Sequence, residues 1–121
     1  MKAEDIYAKY PKLFARVGLP SSKSCMAFGM QINEGWYPLI IELSDILSKE
    51  YPDVEYRQIK EKFGTLRVYL SNYPDDKIHD LLYEFDKKSS TICESCGKAG
   101  NTKSVDGWYV TICPNCIKKS S

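Results

Sequence analysis

The chain has 121 residues, of which 43% are hydrophobic and 27% charged, and its net charge at pH 7 is +1. This length suits one domain with at most a small appendage, and it excludes barrels and most two-domain enzymes. A domain that holds duplex DNA through many phosphates is usually far more basic. The charge balance therefore argues against extended binding of duplex nucleic acid.

The predicted elements give an α+β chain. Apolar residues recur at helical spacing in three segments, and two segments between them alternate like the strands of a hairpin. The first element is a helix within residues 4–16. Pro11 interrupts it and is expected to begin a second short helix. A helix over Pro38–Glu50, strands over 54–61 and 65–71, and a helix over 74–88 follow. We predict helices packed on a small antiparallel β-hairpin or sheet, with a C-terminal zinc-ribbon-like unit.

That unit is predicted from four of the five cysteines, which form the pairs Cys93-x-x-Cys96 and Cys113-x-x-Cys116 with 16 residues between them. Two tight turns at this spacing can bring four thiolates to the corners of a tetrahedron around one Zn²⁺. Four sulfur ligands leave no open position for water or substrate. We therefore predict one structural zinc ion, with two disulfides or four unrelated thiols as the alternatives.

The cysteine pairs also divide the chain into two predicted units. An α+β core over 1–90 contains the hairpin segment 54–71, and a four-cysteine unit occupies 91–121. Within the second unit, Asp106-Gly107 is a turn signal ahead of a strand over Trp108–Ile112. The pattern is typical of a zinc ribbon or a treble clef.

Charge is segmented along the chain. Residues 57–70 carry a net charge of +3 and residues 87–121 carry +4, whereas residues 21–56 and 71–86 carry −4 each. The two basic segments coincide with the hairpin and with the cysteine pairs, so these are the candidate sites for an anionic ligand.

The register of the hairpin follows from its apolar residues. Placing Ile59 opposite Val68 puts apolar residues on one face and sets Lys60 opposite Arg67 on the other. A two- or four-residue loop around Phe63-Gly64 is compatible with this register.

The polar face of this hairpin is a candidate anion site. Like charges directly opposite each other are unfavourable by up to about 1 kcal/mol, so Lys60 and Arg67 either extend into water or share an anion. Phosphate fits the second case, because Lys62, the Thr65 hydroxyl and the backbone amide at Gly64 are further donors. The alternative is a solvated face with no ligand.

Aromatic residues near the hairpin are candidates for stacking on a base. Tyr56 and Tyr69 are expected on the basic face, and Trp36 and Tyr37 stand at the predicted start of a helix. Aromatic planes beside cationic donors can hold a base together with its phosphates. For Trp36 the alternative is an anchor between the helix start and the core.

Catalytic groups are scarce. His79, the single histidine, is expected to be a solvated helix residue, and Cys25 a small buried side chain. An acidic row at helical spacing is formed by Asp76, Asp80 and Glu84. It could hold a metal, but we expect a solvated acidic stripe on the helix surface. The chain has no phosphate loop and no hydrolase motif, so we expect no enzyme activity.

The compartment is expected to be the cytoplasm, without membrane contact. No apolar segment follows the first five residues, Met1–Asp5, so no secretory signal peptide is recognised. The longest apolar stretch, around Trp36–Ile41, is too short to span a bilayer.

Three segments together resemble a family of small bacteriophage and prophage proteins. These are Gly35–Ile40 (GWYPLI), Lys60–Tyr69 (KEKFGTLRVY) and the cysteine pairs, and the similarity extends over roughly residues 25–117. The family itself has no assigned activity, but small phage accessory proteins in general often counter host defence, in some cases by sequestering nucleotide messengers. The resemblance implies an accessory protein in the host cytoplasm.

We therefore predict a non-enzymatic protein that binds a small phosphorylated ligand, plausibly a nucleotide signal. Nucleic-acid binding is the first alternative, and it would add four lysines of the C-terminal unit, namely Lys98, Lys103, Lys118 and Lys119. A protein-binding inhibitor or adaptor, with the basic face against an acidic partner, is the second. The oligomeric state stays open, and a homo-oligomer is compatible with the sequence.

Overall fold

The computed structural model of the chain describes residues 2–18 and 25–120. In these residues the elements are α1 (Ala3–Lys9), α2 (Tyr37–Glu50), β1 (Tyr56–Lys62), β2 (Thr65–Leu70), α3 (Lys77–Ser89), β3 (Asn101–Val105), β4 (Trp108–Ile112) and α4 (Pro114–Ser120). The strands form two separate antiparallel pairs, β1 with β2 and β3 with β4. The prediction of an α+β fold is confirmed. None of the described helices is both long and apolar enough to cross a bilayer.

The first helix is shorter than predicted. Because a proline disfavours helical geometry in the residue before it, α1 ends at Lys9 and Tyr10 leaves the helix with φ −127° and ψ 61°. The prediction of a second short helix from Pro11 is wrong, since the following residues form successive turns. These turns place Phe14 between the rings of Tyr7 and Tyr56, with both centroid distances 4.8 Å.

Helix α2 forms as predicted and supplies the centre of the core. Pro38 lies in its first turn, where the missing N–H would have had no partner in the helix. Its buried face includes Ile40, Leu43 and Leu47, none of which is exposed to solvent. The helix ends where the Tyr51 N–H bonds to the Leu47 carbonyl at 2.8 Å, directly before Pro52.

The β1–β2 hairpin has the predicted register. Ile59 lies opposite Val68, and Lys60 lies opposite Arg67. Phe63 and Gly64 form a two-residue turn in which both residues have positive φ, 56° and 85°, as the tight turns of hairpins require.

Helix α3 begins at Lys77, three residues after the predicted start, because the Asp75 carboxylate accepts a hydrogen bond from the Ile78 N–H at 3.1 Å. The helix packs against β2, and the buried Ser89 at its end bonds to the strand's edge. The Ser89 Oγ accepts the Leu66 N–H at 2.8 Å and donates to the Asp86 carbonyl.

We predict that Ser89→Ala destabilises the fold by about 1–3 kcal/mol, because the buried Leu66 N–H would lose its acceptor. Urea unfolding measures the change in the free energy of unfolding. Ser90→Ala is the matched control, since the Ser90 hydroxyl bonds only to a carbonyl within its own helix. Equal midpoints for the two variants would contradict the role of Ser89.

The C-terminal unit is docked onto the start of α2. The Trp36 Nε1–H donates to the Ile92 carbonyl at 2.8 Å, and the Gly35 N–H donates to the Glu94 carbonyl at 2.7 Å. A Cβ on Gly35 would overlap the backbone carbonyl oxygens of Cys93 and Glu94. Glycine is therefore required at this contact between the two units.

Candidate functional site

The four cysteine sulfurs converge at the end of the β3–β4 unit. The Sγ atoms of Cys93, Cys96, Cys113 and Cys116 all lie within 4.8 Å of one another. The Cys96 and Cys113 sulfurs are 3.6 Å apart, close to the edge of about 3.8 Å expected for a tetrahedron with metal–sulfur bonds of about 2.3 Å. All four are free thiols, so the two predicted pairs form one cluster that could hold a single metal ion.

Backbone hydrogen bonds shape both cysteine turns. In the first, the Gly97 N–H donates to the Cys93 carbonyl at 2.9 Å, and Gly97 has a positive φ of 84°. The Cys93 N–H in turn donates to the Lys98 carbonyl at 2.7 Å. In the second, the Cys116 N–H points at the Cys113 sulfur at 3.4 Å, where α4 begins. Backbone donors aimed at sulfur favour the thiolate that a metal needs.

Neighbouring groups shift the pKa of three of the thiols, Cys93, Cys113 and Cys116. Burial opposes ionisation of Cys93, but backbone hydrogen bonds from Cys113, Cys96 and Ser95 outweigh it and lower the pKa of Cys93 to about 6. A hydrogen bond to Cys113, together with burial, raises the pKa of Cys116 to about 12. A metal ion bound to the thiolates would displace the protons that remain on them.

The polar face of the hairpin is arranged as predicted, but Arg67 already has an anionic partner. The Arg67 Nε lies 3.5 Å from a carboxylate oxygen of Asp86 on α3. Lys60 has no ion pair among the described residues, and its Nζ lies 5.7 Å from the centre of the Tyr69 ring. An external phosphate would therefore find Lys60 available, whereas it would compete with Asp86 for Arg67.

The predicted role of the Gly64 amide is wrong. The Gly64 N–H donates to a carboxylate oxygen of Glu61 at 2.7 Å, and the Gly64 carbonyl accepts the Thr111 hydroxyl. Both backbone groups are thus used within the protein. The Thr65 hydroxyl donates to the Lys62 carbonyl at 3.3 Å, a long bond that a ligand could replace.

Two of the four aromatic residues predicted to hold a base are in the core. Trp36 and Tyr56 are fully buried, so the prediction that they stack on a ligand is wrong. Trp36 instead anchors the start of α2 to the core, which is the alternative that the sequence analysis gave for this residue. Tyr56 is turned inward by an irregularity of the strand between Tyr56 and Gln58, which breaks the alternation of sides. Its hydroxyl forms a hydrogen bond with Ser44 at 2.8 Å.

The other two aromatic residues remain accessible but lie apart. Tyr69 is exposed on the hairpin face beside Lys60. Tyr37 is half-buried and lines a separate depression with Ser95 and Cys96. The side chains of Cys25, Lys118 and Lys119, for which the sequence made predictions, lie outside the described part of the structure.

An aromatic groove that the sequence analysis missed lies between the hairpin turn and β4. It has a volume of about 650 Å³ and is lined by Glu61, Lys62, Phe63, Gly107, Trp108, Tyr109 and Val110. Phe63 is 63% exposed, Trp108 76% and Tyr109 55%. The sequence did contain a signal for this groove. Three large apolar side chains lie at two tight turns, in segments too small to bury them.

The four-cysteine unit forms one wall of this groove. Thr111 on β4 is buried, and its hydroxyl donates to the Gly64 carbonyl in the hairpin turn at 2.5 Å. The Phe63 and Tyr109 rings meet edge to face with their centroids 6.4 Å apart. The fold thereby brings together the two basic segments of the chain, 57–70 and 87–121.

The fold and the cysteine cluster define an α+β protein with a C-terminal four-cysteine unit that could hold one metal ion and form a zinc-ribbon-like unit. Comparison with family models, with curated proteins and with solved structures finds no match to this chain. The resemblance to phage and prophage proteins therefore stays a prediction.

Proposed function

We propose that this protein is a zinc-stabilised binding protein, without enzyme activity, whose ligand is a nucleotide held at the aromatic groove. The observation that carries the proposal is the coincidence of three exposed rings with Lys62 around one groove. Its volume lies within the range of about 300–1,000 Å³ typical of small-molecule sites. A base can stack on a ring while Lys62 pairs with a phosphate.

Zinc is the metal that the donor set favours. Four thiolates at near-tetrahedral spacing are typical of structural zinc sites, and iron is the other metal that such a set accepts. Bound there, the ion would tie the Cys93–Cys96 turn to the end of β4 and so hold one wall of the groove in place.

A biological role follows from the chemistry of the ligand. A free nucleotide bound in the groove would be withdrawn from its receptor, which is the role that the resemblance to phage accessory proteins implies. The site of action would then be the host cytoplasm. An acidic protein bound at the same lysines is the competing role, and the experiment below separates the two.

Tryptophan fluorescence tests the proposal directly. The chain has two tryptophans, of which Trp36 is buried and Trp108 exposed, so quenching by acrylamide reports mainly on Trp108. We expect adenosine and uridine monophosphates to protect Trp108 from quenching, free nucleosides to protect it less, and inorganic phosphate not at all.

Substitutions then assign the site. Tyr109→Ala is expected to weaken nucleotide binding by about 5- to 150-fold, the usual cost of losing one stacking ring. Lys62→Ala should weaken binding of the monophosphates but not of the nucleosides, and Lys49→Ala, an exposed lysine on α2, is the control. If acrylamide quenches Trp108 as strongly with millimolar nucleotide as without it, the proposal is excluded. An acidic protein as the partner would then be favoured.

A further inference from the structure

We infer that the ligand is a segment of single-stranded nucleic acid several nucleotides long, which follows the hairpin face from Tyr69 to the aromatic groove. This inference rests on the proposed function and names its ligand class. It is carried by a row of aromatic rings and lysines that extends well beyond the groove itself.

The row consists of aromatic side chains with lysines beside two of them. On the hairpin face, the Lys60 Nζ lies 5.7 Å from the centre of the Tyr69 ring. At the turn, the Lys62 Nζ lies 5.6 Å from the centre of the Phe63 ring. Tyr109 continues the row 6.4 Å beyond Phe63. Alternation of stacking planes with phosphate-binding cations is the arrangement that single-stranded nucleic acids require.

The rings are placed so that one base cannot use them together. Phe63 and Tyr109 are inclined at 75°, whereas two rings that sandwich one flat base must be nearly parallel. Trp108, the residue before Tyr109 in β4, lines the same groove. Each ring is thus suited to a base of its own.

The length of the row also exceeds one nucleotide. From Tyr69 to Thr65 the strand advances about 13 Å at about 3.3 Å per residue. The hairpin turn and the 6.4 Å between the Phe63 and Tyr109 rings add to this length. A single nucleotide in the groove would not reach Tyr69 and Lys60.

Charge favours a nucleic acid over an apolar or basic partner at this surface. Lys60 and Lys62 are the cations beside the rings. Lys62 lines the groove together with Glu61, whose carboxylate is already bonded to the Gly64 N–H. Duplex is disfavoured, because its bases are stacked on one another and offer no free face to these rings. With Lys60 and Lys62 as the two phosphate contacts, the logarithm of affinity should fall with the logarithm of salt with a slope of about −1.4.

Competition against a fluorescein-labelled thymidine octamer, followed by anisotropy, tests the inference. Thymidine monophosphate, unlabelled oligomers of two, four and eight nucleotides, and a duplex octamer serve as competitors of the full-length protein. We expect at least about a tenfold gain in affinity from the mononucleotide to the tetramer, little further gain to the octamer, and weaker binding of the duplex.

Variants on the hairpin face separate this inference from the proposed function. Tyr69→Ala should remove most of the gain shown by the tetramer and leave the mononucleotide unchanged, whereas Tyr69→Phe, which keeps the ring, should bind like the wild type. Lys60→Ala should make the salt slope about 0.7 shallower, and Lys49→Ala should not change it. Equal affinities for mononucleotide and tetramer would overturn the inference and leave the proposed function standing. Binding of neither would overturn both.

Discussion

Cys113→Ser is expected to abolish stoichiometric metal binding and to unfold the C-terminal unit. Cys113 is buried, and its sulfur lies 3.6 Å from that of Cys96, so an oxygen at this position cannot complete the sulfur tetrahedron. Structural zinc supplies about 10–16 kcal/mol of apparent folding free energy in small modules. The β3–β4 pair has two strands and few buried residues, and a two-stranded pair is marginal by itself.

Metal analysis and amide hydrogen exchange measure these two effects. The wild type should hold one equivalent of metal, and its amides in β3 and β4 should be protected, while Cys113→Ser should lose both properties. Ser95→Ala, between the first two cysteines, is the matched control and should retain them. A folded wild type that binds no zinc or iron after refolding with either metal would refute the metal centre.

Acid should release the metal from the wild type. Because the pKa of Cys93 is lowered to about 6, its thiolate persists at neutral pH, and protons compete with the metal for it increasingly as the pH falls. We expect a chromophoric chelator to take up the metal faster at pH 5 than at pH 7.5. Release that does not depend on pH would show that the thiolates are not its ligands.

Gly35→Ala is expected to destabilise the protein by about 3 kcal/mol or more. The added Cβ would overlap the carbonyl oxygens of Cys93 and Glu94, and both are backbone atoms that cannot rotate away. Relief requires separation of the four-cysteine unit from the start of α2, which would also lengthen the hydrogen bond from the Gly35 N–H to Glu94. Insertion of one methyl group into a packed interior commonly costs about 1–3 kcal/mol even where side chains can adjust.

Urea unfolding of Gly35→Ala beside Gly107→Asn tests this contact. Gly107 has a positive φ of 87°, but no atom lies within 4 Å of the position a Cβ would take. Asparagine tolerates this conformation, so the control should lose no more than about 1 kcal/mol. If the Gly35→Ala variant unfolds at the same urea concentration as the wild type, the four-cysteine unit is not docked on α2 at this glycine.

Local sequence patterns determined most of the elements and the four-cysteine cluster. The alternation of apolar residues set the hairpin register, with Ile59 opposite Val68, because a slip by one residue would move every apolar side chain to the wrong face. The two short cysteine motifs predicted the four ligands for a similar reason. Each pair closes its own turn, so the tertiary structure had only to bring the two turns together.

Three features depended on contacts between residues distant in the chain, which local patterns do not encode. The strand irregularity beside Tyr56 turned its ring from the predicted binding face into the core. Packing of α3 against β2 brought Asp86 to Arg67, so the predicted pair of free cations became one free lysine and one ion pair.

The aromatic groove is the third such feature. Phe63 and Tyr109 are 46 positions apart in the sequence and become neighbours because the hairpin turn packs against β4, where Thr111 bonds to the Gly64 carbonyl. The sequence by itself determined most of the α+β elements, the hairpin register and the four cysteines that could hold a metal, since each follows from a short pattern with one favourable geometry. The tertiary structure alone decided which cations and rings remain free for a ligand, because burial and ion pairing depend on what packs against each side chain.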